Sequence, residues 1–236
     1  MISFSIPRQN ADRLARMGLA SASDTTAISH IGVRVTPTGV RFSSTNGRLL
    51  CSLIVPIDDF IGTPTDLILD QVQLAAAVKA AAKGSGRIGF KIDEAEARVT
   101  SGTVASVVRR VASTFPQVDH VWTRPAGRRW VPTMSSLDPG LVAIAQRITG
   151  NKQPLLLASP VDPGARLERL WAVPGAQPDE SISLASLRAA VTAPAYWSDG
   201  FELSILIMPI TRSDSERQLN LDAHAMPLPQ PAALAA

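Results

Sequence analysis

Apolar and polar residues alternate from the start of the chain, where Ile2, Phe4 and Ile6 fall on one side of a short strand. Pro7 suits the first turn of a helix predicted to run to about Ala20. Leu14 and Met17 pack inward in that helix, Arg13 and Arg16 point elsewhere at helical spacing, and Arg8 adds a charge near its start. From Ile28 the period changes to two. Ile31, Val33 and Val35 alternate, Pro37-Thr38-Gly39 turns the chain, and Val40 and Phe42 resume the pattern. Asn46-Gly47 is the strongest hairpin-turn dipeptide present, and Leu49, Cys51, Leu53 and Val55 follow it at period two. The pattern predicts an antiparallel meander preceded by a helix.

The same unit recurs. Leu67-Ile68-Leu69 reads as a strand, Asp70 as a helix N-cap, and residues 71–83 as a helix with Leu74 and Val78 on one face and Lys79 and Lys83 among its polar positions. Gly84-Ser85-Gly86 stops it. Three more strands are predicted at Ile88–Ile92, Ala97–Ser101 and Val104–Val111. Neither unit alone has a sufficient core, so the two are expected to pack side by side. Residues 1–121 form the first predicted domain, and 122–130, with Pro125, Gly127, tryptophans and arginines, a linker. A smaller domain follows over 131–212. Asp138-Pro139 caps a helix with Leu141, Ile144 and Ile148 inward, and strands are expected at Leu155–Ala158, Leu167–Val173 and Phe201–Ile210. A short helix is expected around Leu184–Val191. The tail 213–236, polar and then rich in alanine and proline, reads as disordered.

Composition narrows the function classes. At 236 residues and 45% apolar, the chain has core material for two domains, and no apolar run reaches membrane-spanning length. The N-terminus lacks a charged head before an apolar core, so a cytoplasmic protein is expected. The lone Cys51, in an apolar strand run, reads as a buried inert thiol. His30, His120 and His224 stand isolated, without the spacing of a metal site. Lys83-Gly84-Ser85-Gly86-Arg87 follows a helix instead of opening one, so it reads as a helix stop and not a phosphate cradle. Asp93, Glu94 and Glu96 read as a solvated hairpin tip. No nucleophile–base pair can be inferred, so no enzyme and no cofactor are expected. A net charge of +3 does not by itself demonstrate nucleic-acid binding.

The order of elements in residues 1–121 resembles, unit for unit, a domain of the bacterial DNA polymerase III beta-type sliding clamps. Two motifs carry the resemblance. The family's Thr-Asp-Gly turn, followed by basic and apolar residues, stands here as Thr45-Asn46-Gly47-Arg48-Leu49. Its closing Phe-Pro, acidic residue and valine stand here as Phe115-Pro116-Gln117-Val118-Asp119-His120-Val121. The second half departs from the family: it is shorter than a full clamp domain, with strands missing or shortened between its helix and its final strand. The resemblance implies an α+β, DNA clamp-like fold of repeated helix-plus-antiparallel-sheet units in two domains, the second a degenerate clamp domain.

It further implies a processivity factor that encircles double-stranded DNA and tethers a DNA polymerase, with a clamp loader as a further partner. Bacterial clamps carry three domains per chain and pair as dimers, whereas two domains per chain suggest a trimer. A homo-oligomer, dimer or trimer, is therefore expected, and the shortening suits a phage or integrated element. Cations on helices lining a hole would touch phosphates without reading sequence. The candidates are Arg13 and Arg16 on the first helix, Lys79 and Lys83 on the second, Arg147 on the third and Arg188 on the fourth. The alternative for each is a solvated helix face. Trp122, Trp130, Trp171 and Trp197 suit either a partner-peptide surface or ordinary packing. Two other functions stay open: a clamp-fold interaction module that does not encircle DNA, and an unrecognised hydrolase.

Overall fold

The computed structural model describes residues 1–23, 27–118, 137–150, 155, 157, 195–198 and 202–208, and the backbone alone of 129–132 and 158–161. The chain opens with β1 (Ile2–Ile6), α1 (Ala11–Met17), β2 (Ile31–Thr36), β3 (Gly39–Thr45), β4 (Leu49–Pro56) and β5 (Asp58–Ile61). It repeats the pattern with β6 (Thr65–Leu69), α2 (Gln71–Ala81), β7 (Ile88–Ile92), β8 (Glu96–Ser101) and β9 (Val104–Arg109). The second half contributes β10 (Arg129–Pro132), α3 (Pro139–Thr149), β11 (Ala158–Val161), β12 (Ala195–Ser198) and β13 (Leu203–Ile207). The fold is α+β, with antiparallel strands throughout the described sheets.

Each meander borrows its neighbour's leading strand. β1 precedes the first meander in sequence, yet it pairs antiparallel with β7 of the second, Ile2 opposite Ile92 and Phe4 opposite Phe90. β6 precedes the second meander and pairs with β2 of the first, Ile31 opposite Leu69. The exchange builds sheet A, in the order β5-β1-β7-β8-β9, and sheet B, in the order β10-β11-β12-β13-β4-β3-β2-β6. The two units thus interlock about an internal pseudo-two-fold. It extends to the strand ends: β5 returns to β1, and Arg110 returns to bridge Leu69 of β6. The expected side-by-side packing takes this exchanged form.

The two sheets share one core. Phe90 of sheet A stacks on Phe4 at 5.0 Å and meets Phe42 of sheet B at 6.1 Å, all three buried. The second half joins the same core through Leu141, Ala145 and Ile148 of α3 and Leu203, Ile205 and Ile207 of β13. β13 lies antiparallel along β4, Ile205 opposite Cys51, so sheet B runs without a break from one half into the other.

Several boundaries differ from the expectation. The first helix is α-helical only over α1, with 3-10 turns at Arg8–Asn10 and Gly18–Ala20. β9 stops at Arg109 because Arg110 turns away to bridge β6. Leu155 and Leu157 pack against the core ahead of β11, which begins at Ala158. β5 and β12 carry too little alternation to be read from sequence. Arg129 and Trp130, at the end of the stretch read as a linker, open β10. The expected strand at 167–173, the helix at 184–191 and the tail 213–236 lie outside the described residues. Among the described residues no helix is long and apolar enough to cross a membrane.

Candidate functional site

α1 packs between α2 and α3, which places the helix-borne cations in one layer. Each helix has a local reason to begin where it does. Asp70 accepts from the Gln73 N–H at 3.0 Å at the start of α2. Asp138 accepts from the Gly140 N–H at 2.8 Å at the start of α3, with Pro139 in its first turn. Such caps are worth roughly 1 kcal/mol each. Gly150 ends α3 with φ at +68°, in the left-handed region that favours glycine.

α1 and α2 run antiparallel in contact. Gln71, at the start of α2, fills the space beside Gly18 at the end of α1, while Arg8 before α1 donates to the Gly84 carbonyl beyond α2 at 2.8 Å. The cations of α1 are used within the protein. Arg13 Nη1 donates to Glu202 Oε2 at 3.1 Å, and Asn10 Nδ2 reaches the other oxygen of that carboxylate at 3.4 Å. Glu202 immediately precedes β13, so this cluster joins α1 to the second half. Arg16 Nε donates to the Asp12 carbonyl at 3.1 Å, and its guanidinium lies against Gly150 where a side chain on that glycine would sit. There it faces the carbonyl end of α3, which favours a cation.

Lys79, Lys83 and Arg147 are exposed. Lys79 and Arg147 stand in the last turns of α2 and α3, and Lys83 just beyond α2. A cation there also complements its own helix dipole, so the positions suit a solvated face as well as a phosphate. Arg188 lies outside the described residues. The sequence reading found the cations but not the partner of Arg13. Glu202 lies 189 residues away and carries no local signal.

The two motifs of the resemblance occupy defined places. Asn46 Oδ1 accepts from the N–H groups of Arg48 at 3.0 Å and Leu49 at 2.8 Å, with Gly47 at φ +85°. The Arg48 carbonyl accepts from Met208 N–H at 2.7 Å, so this turn also meets the end of β13. Phe115 lies across the outer face of sheet B. A Cβ on Gly32 would come within 2.5 Å of its ring, so only glycine leaves room for the aromatic. The cavity beneath this crossing, about 170 Å³ between Arg34, Ser43, Asp66 and Phe115, is small for a ligand site.

The remaining candidates resolve as packing or turns. Burial pushes the Cys51 thiol up, away from reactivity. Asp93 accepts from the Glu96 and Ala95 N–H groups, both at 2.9 Å, and these bonds hold its carboxyl below the ordinary range. Trp197 is partly buried against the core. The structure describes no side chain of Trp122, Trp130 or Trp171, and His120 and His224 lie outside the described residues. Among the described residues no group of His, Cys, Asp and Glu could hold a metal ion.

No family model matches the chain, and no curated protein matches it. Solved structures do match. The DNA polymerase III beta subunit of Thermotoga maritima superposes with a TM-score of 0.58 at 8% identity, over 92% of this chain and 67% of that one. The DNA polymerase III subunit beta of Pseudomonas aeruginosa gives 0.57 at 11%, over 92% and 67%. The DNA polymerase sliding clamp of Bacillus subtilis gives 0.56 at 11%, over 89% and 64%. The chain therefore has the sliding-clamp fold, and it spans about two thirds of the length of these chains.

Proposed function

We propose that the protein is a clamp-like processivity factor, without enzymatic activity, that encircles duplex DNA as a homo-oligomeric ring and tethers a polymerase or another DNA-acting partner. The observation that carries this reading is a helix layer bearing exposed cations within a sliding-clamp fold. In this reading Lys79, Lys83 and Arg147 meet phosphates, which gives affinity without sequence reading. Arg13 is engaged by Glu202 ahead of β13, and Arg16 by Asp12 of its own helix and the end of α3, so these two serve the fold first.

Retention on closed circular DNA, compared with the same DNA linearised, tests the reading. A ring stays on the circle and leaves linear ends, and its retention falls as salt rises. The joint Lys79→Ala, Lys83→Ala, Arg147→Ala variant should reduce the log–log salt slope by about two to three, at roughly 0.9 per phosphate contact. A strictly monomeric chain that associates with neither form would sink the proposal. Binding without preference for the circle would favour the second reading, an interaction module that does not encircle DNA. The engagement of Arg13 and Arg16 within the protein favours that alternative.

A further inference from the structure

The internal pseudo-two-fold relates the outer faces of the two sheets strand for strand, β2 to β7, β3 to β8 and β6 to β1. Register carries the relation to single residues. Ile31 stands opposite Leu69 as Ile88 stands opposite Ile6, so Gly32 corresponds to Gly89, Arg34 to Lys91 and Asp66 to Ser3. On the other side of these strands, Arg34 stands opposite Arg41 as Lys91 stands opposite Arg98. Each sheet thus carries a glycine and, two residues on, a cation facing a second cation on the neighbouring strand. Like charges directly opposite one another destabilise a sheet unless another group answers them.

Sheet B answers them from within the chain. Asp66 on β6 holds Arg34, Oδ1 accepting from Nε at 2.8 Å and Oδ2 from Nη2 at 3.0 Å. Residues 113–118 then cross the face, with Phe115 filling the place above Gly32. Sheet A has neither group. Ser3 stands where the acid would be, and among the described residues neither Lys91 nor Arg98 forms an ion pair. The acids of sheet A are engaged elsewhere: Asp58 pairs with Arg87 at 3.0 Å, Asp93 ties its own turn, and Glu96 stands opposite Arg109. No aromatic lies over Gly89 among the described residues. The chain after β4 returns in the plane of the sheet, as β5 on β1, instead of crossing the face. Lys91 and Arg98 therefore stand exposed, flanked in the same row by Ile61 and Val107, 64% and 51% exposed.

We propose that this face binds an extended segment of a partner protein, which supplies what sheet B draws from its own chain: an aromatic side chain seated on Gly89 and a carboxylate between Lys91 and Arg98. Gly89 and Lys91 lie two residues apart on one side of β7, about 7 Å, which is also the spacing of side chains i and i+2 along an extended segment. The partner's aromatic and acid are therefore two positions apart. An ionised carboxylate between two cations makes charge-assisted hydrogen bonds, and the contact weakens as salt rises. Ile61 and Val107 flank the cations with apolar surface, which suits a peptide better than a phosphate backbone. The proposal goes beyond the ring reading and does not depend on DNA being encircled, since neither cation lies on a helix.

The probe is a capped peptide, Ser-Thr-Phe-Pro-Glu-Val, which copies 113–118 with glutamate in place of Gln117. Titrated into the isotope-labelled full-length chain, it should shift the amide NMR signals of Gly89, Lys91, Arg98 and Thr100 and leave those of Gly32 and Arg34 in place. Joint Lys91→Gln and Arg98→Gln should raise the dissociation constant about tenfold, and alanine for the peptide's phenylalanine should do the same. Both side chains are exposed, so the core signals of this variant should match those of the parent protein. The peptide with lysine for its glutamate should not bind. No shift on sheet A at millimolar peptide overturns the proposal, as does equal binding by the lysine peptide or to the variant. Shifts at Gly32 in place of Gly89 overturn it too, because the peptide would then be displacing Phe115. A single-stranded oligothymidylate that shifts the same residues at lower concentration than the peptide overturns it in favour of phosphate binding. Retention on circular DNA tests the ring reading separately.

Discussion

Sheet A and sheet B grow from the same strand–helix–meander unit, and what lies beyond each meander makes them different surfaces. On sheet B the last strand is extended by β13, and the middle of the outer face is closed: Leu50, Ser52, Leu206 and Ile68 are all buried there, while Ile54 nearer the end of β4 stays exposed. Phe115 crosses that face over Gly32. Among the described residues the last strand of sheet A ends the sheet, and the equivalent face is open. The row Ile61, Ser3, Lys91, Arg98 and Val107 crosses it, and Ile61 and Val107 remain exposed. A repeated unit therefore specifies the core and the order of strands but not the fate of its edges. One edge is completed by a strand from the second half, and the other ends its sheet among the described residues.

The largest effect should come from the place where the two sheets meet. Phe90 touches both Phe4 and Phe42, whereas Phe42 meets Phe90 across the core. Phe90→Ala is expected to cost about 3–5 kcal/mol in urea-induced unfolding, and at least as much as Phe42→Ala. Both should lower the midpoint in a single transition, because one core serves both sheets. Separate transitions for the two halves would break the shared-core comparison.

Next in size is the covering of sheet B. Gly32→Ala should cost about 1–3 kcal/mol, because the added Cβ collides with the Phe115 ring. In a Phe115→Ala background the same substitution should cost little, and a double-mutant cycle reads the difference. Additive costs in that cycle would mean that Phe115 does not hold this face. At the equivalent Gly89 of sheet A a Cβ would meet only Thr100, its hydroxyl at 2.9 Å, and no covering aromatic among the described residues.

Much of this architecture could be read from the chain itself. Period-two alternation located β1 and β7 to the residue, and the caps Asp70 and Asp138 marked two helix starts. These signals are local: a strand needs its own alternation, and a cap needs its own side chain. The exchange of β1 and β6 between sheets left no local trace, since a leading strand reads the same whichever meander it joins. β5 has little burial pattern to display, because it sits at an edge. The site was half legible for the same reason. Lys79, Lys83 and Arg147 stand exposed, as helical spacing suggested, but Arg13 is claimed by Glu202 from the far end of the chain.

Glu202 offers a middle-sized effect that sharpens the contrast, since it acts where sheet B crosses from one half to the other. Glu202→Gln keeps the shape and removes the charge that Arg13 and Asn10 share. With Arg13 side chain 35% and Glu202 20% exposed, the loss should be about 1 kcal/mol, well below that of a fully buried pair. The same variant releases the Arg13 charge and should steepen the salt dependence of DNA association. Unchanged stability would mean that the pair does not fasten the halves.

The smallest effect compares the two equivalent first turns of the meanders. The turn between β2 and β3 is tied by Thr36 Oγ1, which accepts from Gly39 N–H at 3.2 Å and donates to the Gly39 carbonyl at 2.8 Å. The turn between β7 and β8 is tied by the Asp93 carboxylate, whose pKa is lowered by the N–H bonds from Glu96 and Ala95. A lowered folded-state pKa contributes stability above the unfolded value, about 3.9, and that contribution is lost as pH falls through the folded value. Sheet A's turn should therefore weaken in acid while sheet B's does not. Asp93→Asn, which keeps an acceptor oxygen, should remove this small acid-side dependence, and Thr36→Val should leave the pH profile unchanged. A carboxyl-resolved NMR titration in which Asp93 follows an ordinary aspartate would show that the two turns are electrostatically alike.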